Sequence, residues 1–398
     1  MRVSRSLRHR WVRATAAAVL GTCVAAVCAA QDIKIGALMP FSGPATSWGI
    51  SMAGAIEMAA EEVNATGGLE VAGKKHKVTV IRYDDKSKPS DAVTGMNRLI
   101  YEDRAKYVYT FSSASQLAVA QTATDNKVIT IVQAYAAKAL DKAYPYAFRT
   151  VITTNEFAGP QTKWLAQKLK ARRVGVLFPN NESGQQIAAD FAKAYGAAGG
   201  PVVQEFFEGD RVDFAPLLTR LMEKKIDAID LDGNSPTTAG LILKQARELG
   251  FKGPVVRTGG ESTQDIIDVA GKTASEGLYV HLPADFNDPP VAAFKQQFDQ
   301  KYKVALSAAA VPTYVSTKLL LAAIQKAGSA ENTEAVGRAL EQVRDAPSML
   351  GPVNWITPKD LAGNPYGTRH QILTRFYIGQ VRAGKVAVVA TCDLQSCS

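Results

Sequence analysis

Short apolar runs alternate with amphipathic segments along this chain, and the alternation begins twice. The runs 33–39, 78–83, 107–111 and 128–132 read as strands. Between them lie helical patterns, Ile56, Ala59, Ala60 and Val63 ending at Gly67-Gly68, and Ala92, Val93, Met96, Leu99 and Ile100 after Pro89-Ser90. Strands interleaved with helices of this length imply a parallel sheet covered on both faces. After a less regular passage at 146–156 the pattern restarts. Strands at 174–178, 202–207, 226–231, 254–257 and 278–281 alternate with helices near 184–197, 214–224, 237–249 and 263–270. The two openings match, Lys34-Ile35-Gly36-Ala37-Leu38-Met39-Pro40 with Arg173-Val174-Gly175-Val176-Leu177-Phe178-Pro179, and Ser42-Gly43 and Ser183-Gly184 follow them. The chain is therefore expected to be α/β, with two Rossmann-like lobes, each a parallel sheet flanked by helices.

The last third breaks the alternation. Helical segments at about 289–303, 311–327 and 332–344 follow one another, and 372–389 reads as a hairpin around Ala383-Gly384. A chain that completes both lobes and still has helices and a hairpin left must cross between them more than once. Repeated crossings make a hinge.

The N-terminus reads as an export signal. Arg2, Arg5, Arg8, Arg10 and Arg13 precede an uncharged, Ala- and Val-rich stretch, 14–30, that ends in Cys28-Ala29-Ala30. Cleavage after Ala30 is expected. A membrane anchor and a lipid-modified cysteine are the alternatives, but a spanning helix wants about 20 mainly apolar residues, and Val27 and Thr22 fit poorly before Cys28 and Cys23. Without its five arginines the formal charge falls from +9 to +4. No long basic run with interleaved aromatics remains, so no nucleic-acid partner is expected. The other two cysteines, Cys392 and Cys397, are expected to close a disulfide loop in an oxidising compartment. Neither a GxSxG elbow, a GxGxxG turn after a strand nor a phosphate loop occurs. His9, His76, His281 and His370 are isolated and lack metal-ligand spacing. An enzyme, a cofactor and a metal site are therefore not expected.

Several ordered features resemble the periplasmic leucine/isoleucine/valine-type binding proteins of ABC importers. They are Pro40-Phe41-Ser42-Gly43-Pro44, Trp48-Gly49, Gly54-Ala55, Asn64-Ala65-Thr66-Gly67-Gly68, Tyr83-Asp84-Asp85 with Pro89 and Ala92, Phe111-Ser112-Ser113-Ala114-Ser115, Phe148-Arg149-Thr150, Ser275-Glu276-Gly277-Leu278 and Gly351-Pro352. The resemblance runs over essentially the whole chain after the signal. It implies a type I periplasmic-binding fold with three interlobe crossings, a small-molecule ligand, a membrane permease as partner and a periplasmic location. The N-terminal lobe is expected to comprise 31–152 plus 284–349, and the C-terminal lobe 153–283 plus 350–398. A monomer is expected.

Ser112, Ser113 and Ser115 stand where a strand runs into a helix. Free backbone N–H groups and a partial positive charge there suit a carboxylate, although a serine in this place can equally be a plain N-cap. In the family the first serine of the segment binds the ligand's carboxylate, a role the resemblance gives to Ser112. The loop Gln133-Ala134-Tyr135-Ala136 also leaves a sheet at its C-terminal edge. The family uses a backbone carbonyl at the position of Ala134 and a threonine at that of Ala136, and the missing threonine weakens recognition of an α-amino acid. Trp48 stands where the family often walls the pocket with an aromatic ring; core packing is the other reading. In the second lobe Ser183 and Asn234 replace tyrosines. The family's acidic partner for the ligand ammonium falls near Gly259, two places before Glu261, with Asp232 as a second candidate. Two ligand classes stay open at this point: an aliphatic amino acid, and a small carboxylate without an amino group. So do two outputs, transport and sensing.

Overall fold

The computed structural model describes residues 32–260, 262–307 and 309–398. The expected signal, 1–30, lies outside the described residues, as does Glu261. The first lobe opens with β1 (Ile33–Met39), α1 (Thr46–Ala65), the short hairpin β2 (Leu69–Val71) and β3 (Lys74–His76), and β4 (Val78–Asp84). It continues through α2 (Pro89–Asn97), β5 (Tyr107–Phe111), α3 (Ser113–Asp125), β6 (Ile129–Gln133) and β7 (Ala147–Arg149). The second lobe contains α4 (Thr154–Leu169), β8 (Val174–Pro179), α5 (Glu182–Ala197), β9 (Val202–Phe207), α6 (Ala215–Glu223) and β10 (Ala228–Asp230). After these come α7 (Pro236–Glu248), β11 (Val255–Arg257), α8 (Thr263–Ala270), the single turn α9 (Lys272–Ser275) and β12 (Tyr279–Leu282). Helices α10 (Pro289–Lys301), α11 (Ala310–Ala327) and α12 (Thr333–Glu341) return to the first lobe, and β13 (Asn354–Ile356), β14 (Gln371–Leu373), β15 (Phe376–Arg382) and β16 (Lys385–Cys392) end the chain.

Two seven-stranded sheets result, ordered β13-β14-β7-β6-β5-β1-β4 and β16-β15-β12-β11-β10-β8-β9. In each, the five consecutive parallel strands take the same spatial order, so the alternation read twice in the sequence is one doubly wound unit used twice. The strands are apolar on both faces because helices cover both. Ile33, Ile35, Ala37 and Met39 of β1 pack with Met52, Ile56 and Phe298, while Leu38 packs with Met96 and Leu99 on the other side. The second lobe repeats the plan, with Leu177, Ile229 and Val255 against Leu218 and Ile242 on one face, and Val174, Val176 and Phe178 against Phe157 and Phe191 on the other.

One equivalence between the lobes differs from the reading of the openings. A Cβ on Gly184 would lie 1.9 Å from the carbonyl oxygen of Pro179, and a Cβ on Gly49 would lie 1.9 Å from that of Pro40. Both glycines let the helix that follows a lobe's first strand start directly against the end of that strand. Gly43, at φ +79°, meets nothing within 4 Å. The partner of Gly184 is therefore Gly49, not Gly43, and Ser183 corresponds to Trp48.

The chain passes between the sheets three times, after β7, after β12 and after β14. The third crossing corrects the expected boundary at 349/350, since β13 and β14 extend the first sheet. Gln371 pairs with Arg149 of β7, and its Oε1 accepts from Arg149 Nε at 2.5 Å. Trp355 of β13 is buried against Phe148, ring centroids 5.4 Å apart. The apolar residues of this stretch thus complete the first lobe's core, and only β15 and β16 belong to the second sheet. Cys392 and Cys397 form the expected disulfide. No described helix is long and apolar enough to cross a membrane.

Candidate functional site

Helices α3 and α5, one from each lobe, bring their N-termini together where the loops after β5 and β8 meet. Ser112 is the N-cap of α3, with φ +70° and its Oγ accepting from the amide of Ser115 at 3.2 Å. The capping reading of this serine is thus what the backbone geometry realises, and the hydroxyl keeps its own proton to donate. Ser113 begins the helix and is fully buried; its Oγ accepts from the amide of Ala136 at 3.0 Å and from Ser183 Oγ at 2.8 Å. Ser183 lies in the first turn of α5, behind the N-cap Asn181. Ser115 turns away from this meeting point. It is buried beside Asp85, whose carboxyl is raised by burial and lowered by the Ser87 amide and the Ser115 hydroxyl.

The loop 134–136 faces an internal cation. Arg149 is fully buried, and its Nη1 donates to the carbonyls of Ala134 and Tyr135 at 3.4 Å and of Ala136 at 3.2 Å. Its Nη2 donates to Tyr366 Oη at 2.7 Å, and Tyr366 Oη also accepts from Asn155 Nδ2 at 2.9 Å. This ties the last strand before the first crossing to the start of α4 beyond it. Glu156, in the first turn of α4, completes a capping box with Thr153. Burial raises its carboxyl against the opposing pull of Arg149. Tyr135 packs its ring edge-on against Phe157, 6.0 Å between centroids. The carbonyl expected at Ala134 and the methyl of Ala136 thus sit at the hinge side of the cleft.

Trp48, in the first turn of α1, lies between the lobes. Its ring is 5.3 Å from that of Phe111, and the guanidinium of Arg257 stands 5.8 Å from its centroid. Its Nε1 is buried without a hydrogen-bond partner. Next to it, Ser47 reaches Asp265 of α8, whose carboxyl is raised by burial and lowered by the Ser47 hydroxyl. Arg257 and Asp265 were not among the residues singled out from the sequence. Arg257 closes an otherwise apolar strand at the edge where open sheets bind ligands, but a single arginine there carries no spacing signal, and its meeting with Trp48 is visible only in the fold.

The second lobe's wall is polar. Asn234 is 1% exposed, and its Nδ2 donates to the carbonyls of Leu177 at 2.9 Å, Leu231 at 3.0 Å and Asp232 at 3.2 Å. Three carbonyl partners fix which end of the amide is nitrogen, and they leave Oδ1 buried without a partner. The backbone carbonyl of Asn234 accepts from Arg257 Nη2 at 2.7 Å. Asp232 is equally buried, with Oδ1 accepting from the amide of Gly233. A Cβ on Gly259 would lie 2.7 Å from both Asp232 carboxylate oxygens, and one on Gly260 would lie 2.5 Å from Arg257 Nη2. The Gly259-Gly260 pair thus leaves room for a carboxylate on one side and a guanidinium on the other. Glu261 lies outside the described residues. The structure therefore brings Ser112, Ser113 and Ser183 to one point, Trp48 to Arg257, and Asp232 to the place where a side chain at Gly259 would begin. Among the described residues no group of three or more His, Cys, Asp or Glu side chains is arranged to hold a metal.

Comparison with known proteins agrees with this architecture. A family model described as periplasmic binding protein matches residues 32–385. A Leu/Ile/Val-binding protein of Citrobacter freundii is 28% identical over 349 residues, covering 85% of this chain and 90% of the relative. The solved structure of a leucine-binding protein from Thermotoga maritima superposes with a TM-score of 0.78 at 23% identity, over 91% of this chain and 99% of that one. A solute-binding protein of an ABC transporter from R. palustris, solved in complex with benzoate, superposes with a TM-score of 0.77 at 19% identity, over 92% of this chain and 97% of that one.

Proposed function

The chain belongs to the periplasmic binding protein family, and from that premise we propose that it is the extracytoplasmic solute-binding component of an ABC importer. It takes a small carboxylate-bearing ligand, a branched-chain or other amino acid, into the interlobe cleft, performs no chemistry on it and hands it to a membrane permease. The observation that carries this reading is the meeting of two helix N-termini across the cleft, joined through Ser113 and Ser183. Each N-terminus carries roughly half a positive charge and unsatisfied amides. Facing each other they repel, and an anion placed between them satisfies both at once. Closure is then favoured by a carboxylate.

In this reading the carboxylate is held by the first-turn amides of α3 and by the Ser112 hydroxyl. The Asp232 carboxylate receives the ammonium, because it reaches the place where a side chain at Gly259 would start. Trp48 and Phe111 supply an apolar wall. A micromolar dissociation constant corresponds to about −8 kcal/mol, and hydrogen bonds to charged groups contribute about 1.5 to 3 kcal/mol each, so a handful of such contacts suffices. The permease distinguishes loaded from empty protein by differential affinity for the closed shape. The Leu/Ile/Val-binding relative supports an amino acid as ligand, and the arginine-rich, Ala-rich leader supports a periplasmic address.

The test is a thermal-shift screen of the purified protein against amino acids and non-amino carboxylates, repeated on Ser112→Ala. Stabilisation by amino acids that is lost in Ser112→Ala is the expected result. A protein stabilised by no carboxylate would end this reading. Deleting the chain and measuring ligand uptake against the transcriptional response to the ligand separates import from sensing.

A further inference from the structure

We infer that the ligand is an amino acid whose side chain ends in a carboxamide, and that Arg257 and Asn234 are the residues that select it. The inference rests on the reading above, which assigns the α-carboxylate to α3 and the α-ammonium to Asp232. Those assignments leave two groups on the second lobe's wall without a role. Arg257 is a buried guanidinium, 1% exposed, that crosses to the first lobe to stand over Trp48. Asn234 Oδ1 is a buried acceptor without a partner, on a side chain whose nitrogen is already held by three carbonyls. The two residues are neighbours, since Arg257 Nη2 donates to the backbone carbonyl of Asn234 at 2.7 Å.

A donor and an acceptor side by side discriminate among ligand ends. A branched aliphatic end brings neither, and leaves Asn234 Oδ1 buried and unsatisfied, at a cost comparable to a lost hydrogen bond. It would also meet the polar side chains of Ser183, Asn234 and Asp232 where a leucine or valine needs hydrocarbon. A second carboxylate suits Arg257 but turns lone pairs toward Asn234 Oδ1 and adds a negative charge near Asp232. An additional ammonium suits the acceptor and is repelled by Arg257. A carboxamide carries an oxygen for the guanidinium and an NH2 for Asn234 Oδ1 in one planar group. A guanidinium has five N–H donors, so Arg257 can hold a ligand oxygen together with its protein contacts. Sites built to hydrogen-bond a substrate group discriminate strongly against analogues that lack it.

The experiment is calorimetric titration of the purified exported protein, stripped of carried-over ligand by unfolding and refolding, with L-glutamine, L-asparagine, L-leucine, L-isoleucine, L-valine, L-glutamate and benzoate. Glutamine or asparagine is expected to bind at least about tenfold more tightly than leucine, isoleucine, valine, glutamate and benzoate, a ratio equal to about 1.4 kcal/mol. Tighter binding of any of those five overturns the inference and, for the amino acids, leaves the amino-acid reading standing. Binding of none of the seven overturns the inference, and the wider carboxylate screen above then decides the reading it rests on. Arg257→Met is expected to weaken the carboxamide ligand at least tenfold while leucine binding stays level or rises. An equal loss for both overturns the role of Arg257 in selection.

Discussion

Ser183 Oγ donates to Ser113 Oγ at 2.8 Å, a direct hydrogen bond between the first turns of helices that belong to different lobes. Ser113 Oγ also accepts from the amide of Ala136, so one buried hydroxyl links α3, the loop after β6 and the opposite lobe. Ser183→Ala removes the crossing bond and leaves the intralobe one. Whether the Ser183 hydroxyl keeps Ser113 or turns to a ligand carboxylate on closure, its loss costs about 1 kcal/mol, or about fivefold in affinity. Calorimetric titration measures the affinity, and the unliganded melting temperature should barely move, because Ser183 lies outside the cores of both lobes. Unchanged affinity would place the ligand elsewhere.

Trp48 faces Phe111 of its own lobe and Arg257 of the other. Trp48→Ala removes both contacts and the apolar wall, and is expected to weaken binding by about 2 kcal/mol, roughly thirtyfold, as for a buried aromatic anchor. Trp48→Phe keeps a ring and should restore most of that loss. Trp164 and Trp355 lie away from the cleft, packed against Tyr279 and Phe148. The ligand-induced change in tryptophan fluorescence should therefore vanish in Trp48→Phe while binding persists. A signal that survives the substitution would exclude Trp48 as a contact.

The doubly wound pattern was legible because each parallel strand is buried on both faces and reads as an unbroken apolar run between amphipathic helices. The strands β13 and β14 were not, since each has three residues and a polar loop of fourteen separates them. Their place in the first sheet comes from tertiary partners, Arg149 for Gln371 and Phe148 for Trp355. The Ser-Gly echo aligned the wrong glycines because the first lobe has a longer loop before its helix. The strand-to-helix transition marked Ser112, Ser113 and Ser115 together, and the family resemblance singled out Ser112 among them. Arg257 was passed over because a single arginine at a strand end has no spacing signature, and only the fold brings it to Trp48.

His281 should give the protein an acid-side loss of stability. Burial, with the charge of Arg257 as a lesser cause, pushes its imidazole down to about 3. The ring lies between Phe157 and Phe376, at 4.6 Å and 5.2 Å, with Nδ1 3.1 Å from Gln161 Oε1. An unfolded histidine titrates near 6.5. Below that pH the unfolded chain binds a proton that the folded chain refuses, so stability falls as pH drops from about 6.5 toward 3, by about 2 kcal/mol at pH 5. The raised carboxyls of Glu156 and Asp230 act with the opposite sign over the acid range. The test is therefore a difference, in which His281→Phe should lose less stability than the parent between pH 7 and pH 5 in denaturant titrations. Parallel curves would refute it.

Gly184 and Gly196 lie in the same helix and should respond oppositely to alanine. At Gly184 the added Cβ would stand 1.9 Å from the Pro179 carbonyl oxygen, which is backbone and cannot swing aside. The helix start would have to lift off the strand end, at a cost of about 3 kcal/mol. At Gly196 nothing lies within 4 Å, and alanine there should gain up to about 1 kcal/mol from helix propensity. Urea unfolding of the two variants reads the contrast directly. Because Ser183 precedes Gly184, lifting this turn also moves the hydroxyl that crosses to Ser113, so Gly184→Ala should lose ligand affinity as well as stability. A neutral Gly184→Ala would mean that α5 does not start against β8, and the opposed helix ends on which carboxylate binding depends would lose one of their two members.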